Sequence, residues 1–405
     1  MPEQRSKNTG NKTLLMAIIL LNYFSFAMIT NVTGVLFGYW QEDFSIDQTS
    51  SKFLSSAFFI AYALTSLPQG LLLEKIGNKK TFLWAFSLIF TGSLLFALSP
   101  SFSVGLLSLF LLGVGVTAMQ IVGNLLVKSV DDDPNKYSRN LTLAQVFTGI
   151  GSFSGGALNK WLSASFVNFH WTAFYYIFAG LILVLGALVM FSSLPESQPE
   201  SSSAQEDTSK KYITLLTNPL AITFALGIFT YVGIEVGIAN WIQDFLTKTH
   251  RVSVENAGMV VAWFWGLQSI GRLSGGVLLN FIESGKALSL YGILALLCLF
   301  LGVFSSSEQL SSIGFVGVGF FTSIMFPTIF SIAINKFDSK YKEAMAGLLC
   351  TAIVGGAFTQ VIIGYLAQQF SDIKLALIIA GGVSFAYIAC LGILSRQNAA
   401  QQANQ

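Results

Sequence analysis

Charged side chains are scarce in this chain. Of its 405 residues only 10% are Asp, Glu, Lys or Arg, against about 25% in a soluble domain. That shortage excludes one or two soluble globular domains. The net charge of +2, with no basic run, gives no sign of a nucleic-acid partner. There are three cysteines, Cys298, Cys350 and Cys390, each inside an apolar segment. They read as small buried hydrophobes rather than disulfides or a metal site. Neither of the two histidines, His170 and His250, has a metal-ligating neighbour at helical spacing. No nucleotide-binding loop and no nucleophile–base set occurs, and the acidic run Asp131–Asp133 reads as a solvated turn. The chain is therefore expected to be neither an enzyme nor the holder of a metal or cofactor.

What is abundant is apolar surface: 53% hydrophobic residues, with 36 Phe, 12 Tyr and 7 Trp. This is the composition of an all-α membrane protein. A helix needs about 20 apolar residues to cross a bilayer. Twelve such spans are read at 14–40, 53–73, 81–99, 103–127, 141–162, 171–193, 218–243, 257–281, 287–305, 309–334, 344–368 and 375–394. The opening "MPEQRSKNTGNKT" is polar and basic, and the apolar run behind it is too long for a cleaved signal peptide. Residues 194–216 are rich in Ser, Glu and Gln and read as a flexible linker. The expected organisation is a tail (1–13), a six-helix bundle (14–193), the linker (194–216), a second six-helix bundle (217–394) and a tail (395–405). "GVGVTAMQIVGNLLV" from Gly113 is echoed by "GVGFFTSIMFPTIFS" from Gly317. Parallel six-helix repeats suit an alternating-access transporter with its site at midplane between the halves.

Lys and Arg set the orientation. With the N-terminus inside, the inside segments carry 16 basic residues and the outside segments 5. Both termini and the linker are then cytoplasmic, and the membrane is a cell's inner, or plasma, membrane. The remaining basic residue is Arg272, inside span 8. Of the 20 acids, 19 fall in tails, loops or helix ends, and the exception is Glu235 in "FTYVGIEVGIANW".

A carboxylate at the bilayer centre costs about 3 kcal/mol on insertion scales, so one kept there is expected to have a polar role. Loss of water favours the protonated form of a carboxyl, which suits a proton-coupling acid. Tyr231 lies one turn before Glu235 on the same face. Gly233 and Gly237 form another stripe, suited to close packing. Asn240 follows near the outer end, and in span 8 Trp265, Gln268 and Arg272 share a stripe. An aromatic face beside amides and a carboxylate is what a pyranose ring needs. Two readings of Glu235 remain: a coupling acid, or the fixed partner of Arg272. Tyr23 and Asn31 are the polar groups of span 1, Gln360 is a further candidate in span 11, and Pro327 is expected to kink span 10.

Between spans 2 and 3, "GLLLEKIGNKK" holds Gly70, Glu74, Lys75, Gly77, Lys79 and Lys80. It resembles the signature loop of the major facilitator superfamily, which implies a latch at the cytoplasmic face. The second-half counterpart, near Gly276 and Asn280, is degenerate. Spans 4 and 5, with Gln120, Asn124, Arg139, Asn140, Leu141, Gln145, Phe147 and Gly151, resemble the fucose–galactose–glucose:proton symporters of that superfamily (the L-fucose permease-like branch). So do "YVGIEVGIANW", "GRLSGG" from Gly271, "SIMFPTIFSIAI" and "IVGGAFTQVIIGYLA". The resemblance implies a sugar-lining role for Gln120, Asn124 and Gln145; the reading of the residues alone is interhelical hydrogen bonding. Arg139 and Arg272 join the expected latch. Three departures stand out: span 1 has no acid where L-fucose-type members carry an Asp, span 4 has Gln120 where a Glu occurs, and Thr148 replaces the Asn of the span 5 motif.

The expectation is a monomeric secondary transporter in the lipid bilayer that takes up a monosaccharide-like solute with a proton or sodium ion. The alternatives are a facilitator or efflux transporter of a non-sugar solute and, in a different class, a solute-binding membrane sensor.

Overall fold

Inside a bilayer every backbone N–H and C=O must find its partner within the chain, which makes long apolar runs helical. The computed structural model describes residues 2–46, 48–130, 136–167, 169–195 and 208–402, and its described residues contain helices and no strand. Asp131–Asp133 and 196–207 of the linker lie outside the described residues.

The first half of the chain forms α1 (Pro2–Asn31), α2 (Thr33–Phe44), α3 (Gln48–Leu98), α4 (Phe102–Lys128), α5 (Tyr137–Ala144), α6 (Val146–Ser165) and α7 (Ala173–Met190). The linker ends in a helix, α8 (Thr208–Thr217). The second half forms α9 (Pro219–His250), α10 (Val254–Leu278), α11 (Ser284–Phe304), α12 (Glu308–Thr322), α13 (Met325–Lys336), α14 (Lys342–Thr351), α15 (Gly355–Phe370) and α16 (Ile373–Gln402).

Nine described helical stretches are long and apolar enough to cross a membrane. One of them, Leu54–Leu98, holds two spans that meet at Gly77. The pair α5–α6 and the helix α10 complete the twelve. These two are the spans that carry Gly, Ser and Asn most densely, or Arg272, and so fall short on apolarity alone.

Two spans are broken. Span 5 divides at Gln145, between α5 and α6. Span 10 divides between Thr322 and Met325, and Pro327 sits in the first turn of α13. A proline there loses no intrahelical bond of its own, but it supplies no N–H to the carbonyl of Ser323, four residues back.

Two compact units form. One comprises Met1–Pro134, Ile150–Thr214 and Ser339–Thr351; the other comprises Asn135–Gly149, Leu215–Asp338 and Ala352–Gln405. In the first unit α3 packs along α4. Gly113 of α4 lies against the Phe58 carbonyl, and a Cβ at Gly115 would lie 2.6 Å from the Ala85 carbonyl oxygen. Both arms of α3 thus approach one helix through glycines. Asp43, in the last turn of α2, accepts the Trp171 indole N–H at 2.5 Å and meets His170 Nε2 at 3.0 Å. In the second unit α9 packs against α15, α16, α10 and α13, and α10 packs against α12 and α5.

Gly77 has φ 80° and ψ 173°, a backbone state that L side chains hardly adopt. Gly77→Ala is expected to destabilise the protein by about 1–3 kcal/mol. Gly156→Ala, whose Cβ would meet nothing within 4 Å, is expected to stay within about 0.5 kcal/mol of wild type. Thermal denaturation of the two purified variants in detergent checks the difference.

Candidate functional site

Helix α9 starts cleanly because Asn218 accepts the N–H groups of Leu220 and Ala221, with Pro219 in the first turn. Its glycine stripe meets α15: Gly233 lies against Thr359, and Gly355 against the Phe229 carbonyl. Another face carries Tyr231 and Glu235, one turn apart. From α10, Gln268 and Arg272 share a face at the same spacing. Tyr231 and Gln268 both donate to Oε1 of Glu235. Among the described residues nothing bonds to Oε2. Both Glu235 and Arg272 are buried, yet no ion pair joins them within 4.0 Å among the described residues. The guanidinium nonetheless acts electrostatically on both Tyr231 and Glu235.

Arg272 takes its acceptors from the two broken spans. Its Nε donates to the Ser323 carbonyl at 3.4 Å, the carbonyl that Pro327 leaves without a helical donor. Its Nη1 donates to the Thr148 hydroxyl, which itself donates to the Gln145 carbonyl at 2.7 Å. Gln145 is buried at the break between α5 and α6. Trp265 is half-buried with its ring edge-on to Phe264, at 5.1 Å. Beyond Glu235, Asn240 donates to the Gln360 side chain at 2.8 Å, and Trp241 to the Gln360 carbonyl at 3.2 Å. Nearer the other end of α10, Arg139 bonds Asn140 at 2.8 and 3.0 Å and Asn280 at 3.2 Å.

In the other unit the polar candidates pair with each other and with tyrosines. The Tyr23 hydroxyl donates to Asn124 at 2.7 Å, and the Tyr62 hydroxyl to Gln120 at 3.2 Å. Asn31 donates to Ser152 at 2.8 Å. Asn22 reaches the Met119 carbonyl at 3.1 Å.

The loop around Gly77 is tied down on several sides. Lys211 of α8 pairs with Glu74. Tyr212 donates to the Leu67 carbonyl at 2.7 Å. A Cβ at Gly70 would lie 2.8 Å from that Tyr212 hydroxyl and 2.9 Å from the Glu343 carbonyl. Lys79 caps the end of α7 through the carbonyls of Met190 (2.7 Å) and Ser192 (3.0 Å). Lys75 and Lys80 are exposed. Burial first, then the Glu74 and Glu343 carboxylates, hold the Tyr212 phenol well above its ordinary range.

The sequence model of the Major Facilitator Superfamily matches residues 19–348 and again 234–405. The chain belongs to that superfamily. A glucose/galactose transporter of Brucella abortus is 30% identical over 408 residues, covering 97% of this chain and 96% of the relative. The L-fucose-proton symporter of Escherichia coli is 23% identical, covering 89% and 88%. The crystal structure of the E. coli fucose:proton symporter FucP superposes with a TM-score of 0.82 at 19% identity, covering 95% of this chain and 99% of that one. The fold is the major facilitator fold, and the twelve-span reading stands with it.

For this facilitator-superfamily chain, sequence spacing found Tyr231 with Glu235 and Gln268 with Arg272, because each pair lies within one helix. It missed Thr148, Ser323, Tyr62, Asn22, Lys211 and Tyr212. A signal existed for Thr148, the position that departs from the span 5 motif, and for Ser323, four residues before Pro327.

Tyr212→Phe is expected to loosen α8 and raise tryptic cleavage at Lys210 and Lys211 severalfold, the effect of losing a hydrogen bond worth about 1 kcal/mol. A raised phenol keeps its stabilising proton below its ordinary range and loses it only above. The difference from wild type is therefore expected to be flat between about pH 6 and pH 9, as a cleavage time course at several pH values will show.

Proposed function

We propose that this protein takes up a monosaccharide together with a proton by alternating access, with Glu235 as the coupling acid. The single observation that carries the reading is the setting of Glu235. It is the one acid within a span, it is buried, one oxygen is held by Tyr231 and Gln268, and the other is left for a proton. The substrate class rests on the relatives named for glucose/galactose and L-fucose-proton transport. The proton arrives from the outer water onto the carboxylate and leaves to the cytoplasmic water, so Glu235 ends each cycle as it began.

In this reading Tyr231, Gln268, Trp265, Asn240, Gln360, Gln145, Tyr23, Asn31, Gln120 and Asn124 are the residues that serve the sugar. A hydroxyl-rich ring exchanges with the amide and phenol bonds that these side chains make among themselves. The loop with Gly70, Glu74, Lys75, Gly77, Lys79 and Lys80, together with Arg139 and Arg272, forms the conformational latch. The protein acts as a monomer in the inner membrane, with two six-helix bundles and both termini cytoplasmic, as the distribution of Lys and Arg supports. It performs no covalent chemistry on its solute. One observation favours a second reading, an uncoupled facilitator: span 1 lacks an acid and the span 4 position is the neutral pair Tyr62–Gln120.

The test is uptake of labelled D-glucose, D-galactose and L-fucose into proteoliposomes under an inward proton gradient. Wild type is expected to concentrate a hexose. Glu235→Gln is expected to lose accumulation by about 100-fold or more, the order for removing a proton-transfer group, while sugar exchange persists. Gradient-driven accumulation that survives in Glu235→Gln rules out this coupling acid. Equilibration without accumulation by wild type selects the facilitator, and binding of none of the hexoses removes the sugar reading.

A further inference from the structure

Three steps on one face of α10 and a fourth just past its end meet the start of span 5 in reverse order. Ser269 lies against Gly149. Arg272 bonds Thr148. Gly276 lies under Leu143, where a Cβ would come 2.5 Å from the leucine side chain. Asn280 accepts from Arg139 at 3.2 Å. The α10 positions are three or four residues apart, so they form one stripe. The two spans therefore run antiparallel along a seam with glycine at two of its four steps. Within this seam lies Arg272, the one basic residue buried among the described residues, and that cation is the one that acts on Glu235.

A guanidinium has five N–H donors. Arg272 uses one on the Thr148 hydroxyl and one on the Ser323 carbonyl and also reaches the Tyr231 hydroxyl, and among the described residues no acid pairs with it directly. When Glu235 is ionised, the carboxylate attracts that charge across the Tyr231 hydroxyl. When Glu235 is neutral, that attraction is gone, and the neutral acceptors Thr148, Ser323 and Tyr231 hold Arg272 alone.

We propose that Arg272 is the positioning residue that reports the protonation of Glu235 to the seam between α10 and the start of span 5. This rests on the reading of Glu235 as the coupling acid. With Glu235 protonated, Arg272 stays on Thr148 and Ser323 and the seam is held. With Glu235 ionised, Arg272 is drawn toward Tyr231 and Glu235, and the seam loosens. The sign prevents a proton leak: a carrier that has taken a proton but no sugar stays shut at this end. A hydroxyl-rich solute releases it by competing for Gln268 and Arg272. The other neighbours of Glu235 leave the switch to this pair. Tyr231 is the titratable group on its own helix and α10 adds neutral Gln268, while Thr359 of α15 packs on Gly233 and Phe326 of α13 on Tyr231.

The experiment uses the full chain in proteoliposomes, with Cys298, Cys350 and Cys390 replaced by Ser and one new thiol, Leu143→Cys. A water-soluble maleimide is applied with and without Glu235→Gln, so that the thiol's own pH dependence cancels in the ratio of the two rates. The two proteins are expected to label alike near pH 5. Near pH 8 the protein with Glu235 is expected to label about tenfold faster, the order expected when a hydrogen bond to a charged group is lost. Equal rates at both pH values overturn the proposal. Thr148 supplies a second measurement. Thr148→Val is expected to raise sugar-free proton leak about tenfold, whereas Thr148→Ser, which keeps the hydroxyl, stays at the wild-type level. Leak that is the same in all three proteins also overturns it. Hexose accumulation is measured in the same vesicles. Accumulation lost in Glu235→Gln with equal labelling rates defeats the role of Arg272 and leaves symport standing. Accumulation that persists in Glu235→Gln defeats the coupling acid instead.

Discussion

A guanidinium inside a bilayer must find its hydrogen-bond acceptors in the protein, because hydrocarbon offers none. In a regular helix each carbonyl already accepts from the N–H four residues on, which leaves it one lone pair for a side chain. Arg272 is accommodated because two neighbouring spans are broken at its level. Pro327 withholds an N–H from Ser323, and the interruption at Gln145 places the Thr148 hydroxyl where it donates to one side and accepts from the other. The breaks in spans 5 and 10 are thus conditions for keeping a cation in α10.

The two units handle polarity differently. In the first, Gln120 and Asn124 stand one turn apart on α4, and each accepts a tyrosine hydroxyl from a different helix, Tyr62 of α3 and Tyr23 of α1. These are neutral bonds of the kind that glues spans together at about 0.6 kcal/mol each. In the second, the same geometry of two side chains one turn apart is used with charge: Tyr231 and Glu235 face Gln268 and Arg272. The absence of an acid from span 1 and its presence in α9 put the whole ionic load of the membrane interior in one unit.

How much of this was legible in the sequence depends on distance along the chain. The spans were legible, because each is a local apolar run, and so were pairs within one helix. The linker was legible only in part: its composition marks a junction, but the helix Thr208–Thr217 is fixed by what Lys211 and Tyr212 meet on α3, more than 130 residues away. Thr148 and Arg272 are 124 residues apart, and no periodicity links them. Their pairing depends on which helices pack together, which only the fold decides. The signature loop shows both cases at once. Gly77 announces a turn by its residue type, whereas the partner of Glu74 does not follow from the loop.

The distance kept between Glu235 and Arg272 also has a physical consequence. Joined directly, a buried carboxylate and guanidinium would hold each other ionised, and parting them would cost about 3–5 kcal/mol. Such a pair resists protonation and stores no information about it. With Tyr231 between them, Oε1 keeps two neutral donors in either protonation state, and Oε2 gains or loses its proton without breaking either bond. What changes is the field at Arg272, whose own acceptors are neutral and therefore replaceable. Separation by one phenol would leave the acid free to titrate and the cation free to respond, the two properties that the proposed coupling requires of a single carboxyl.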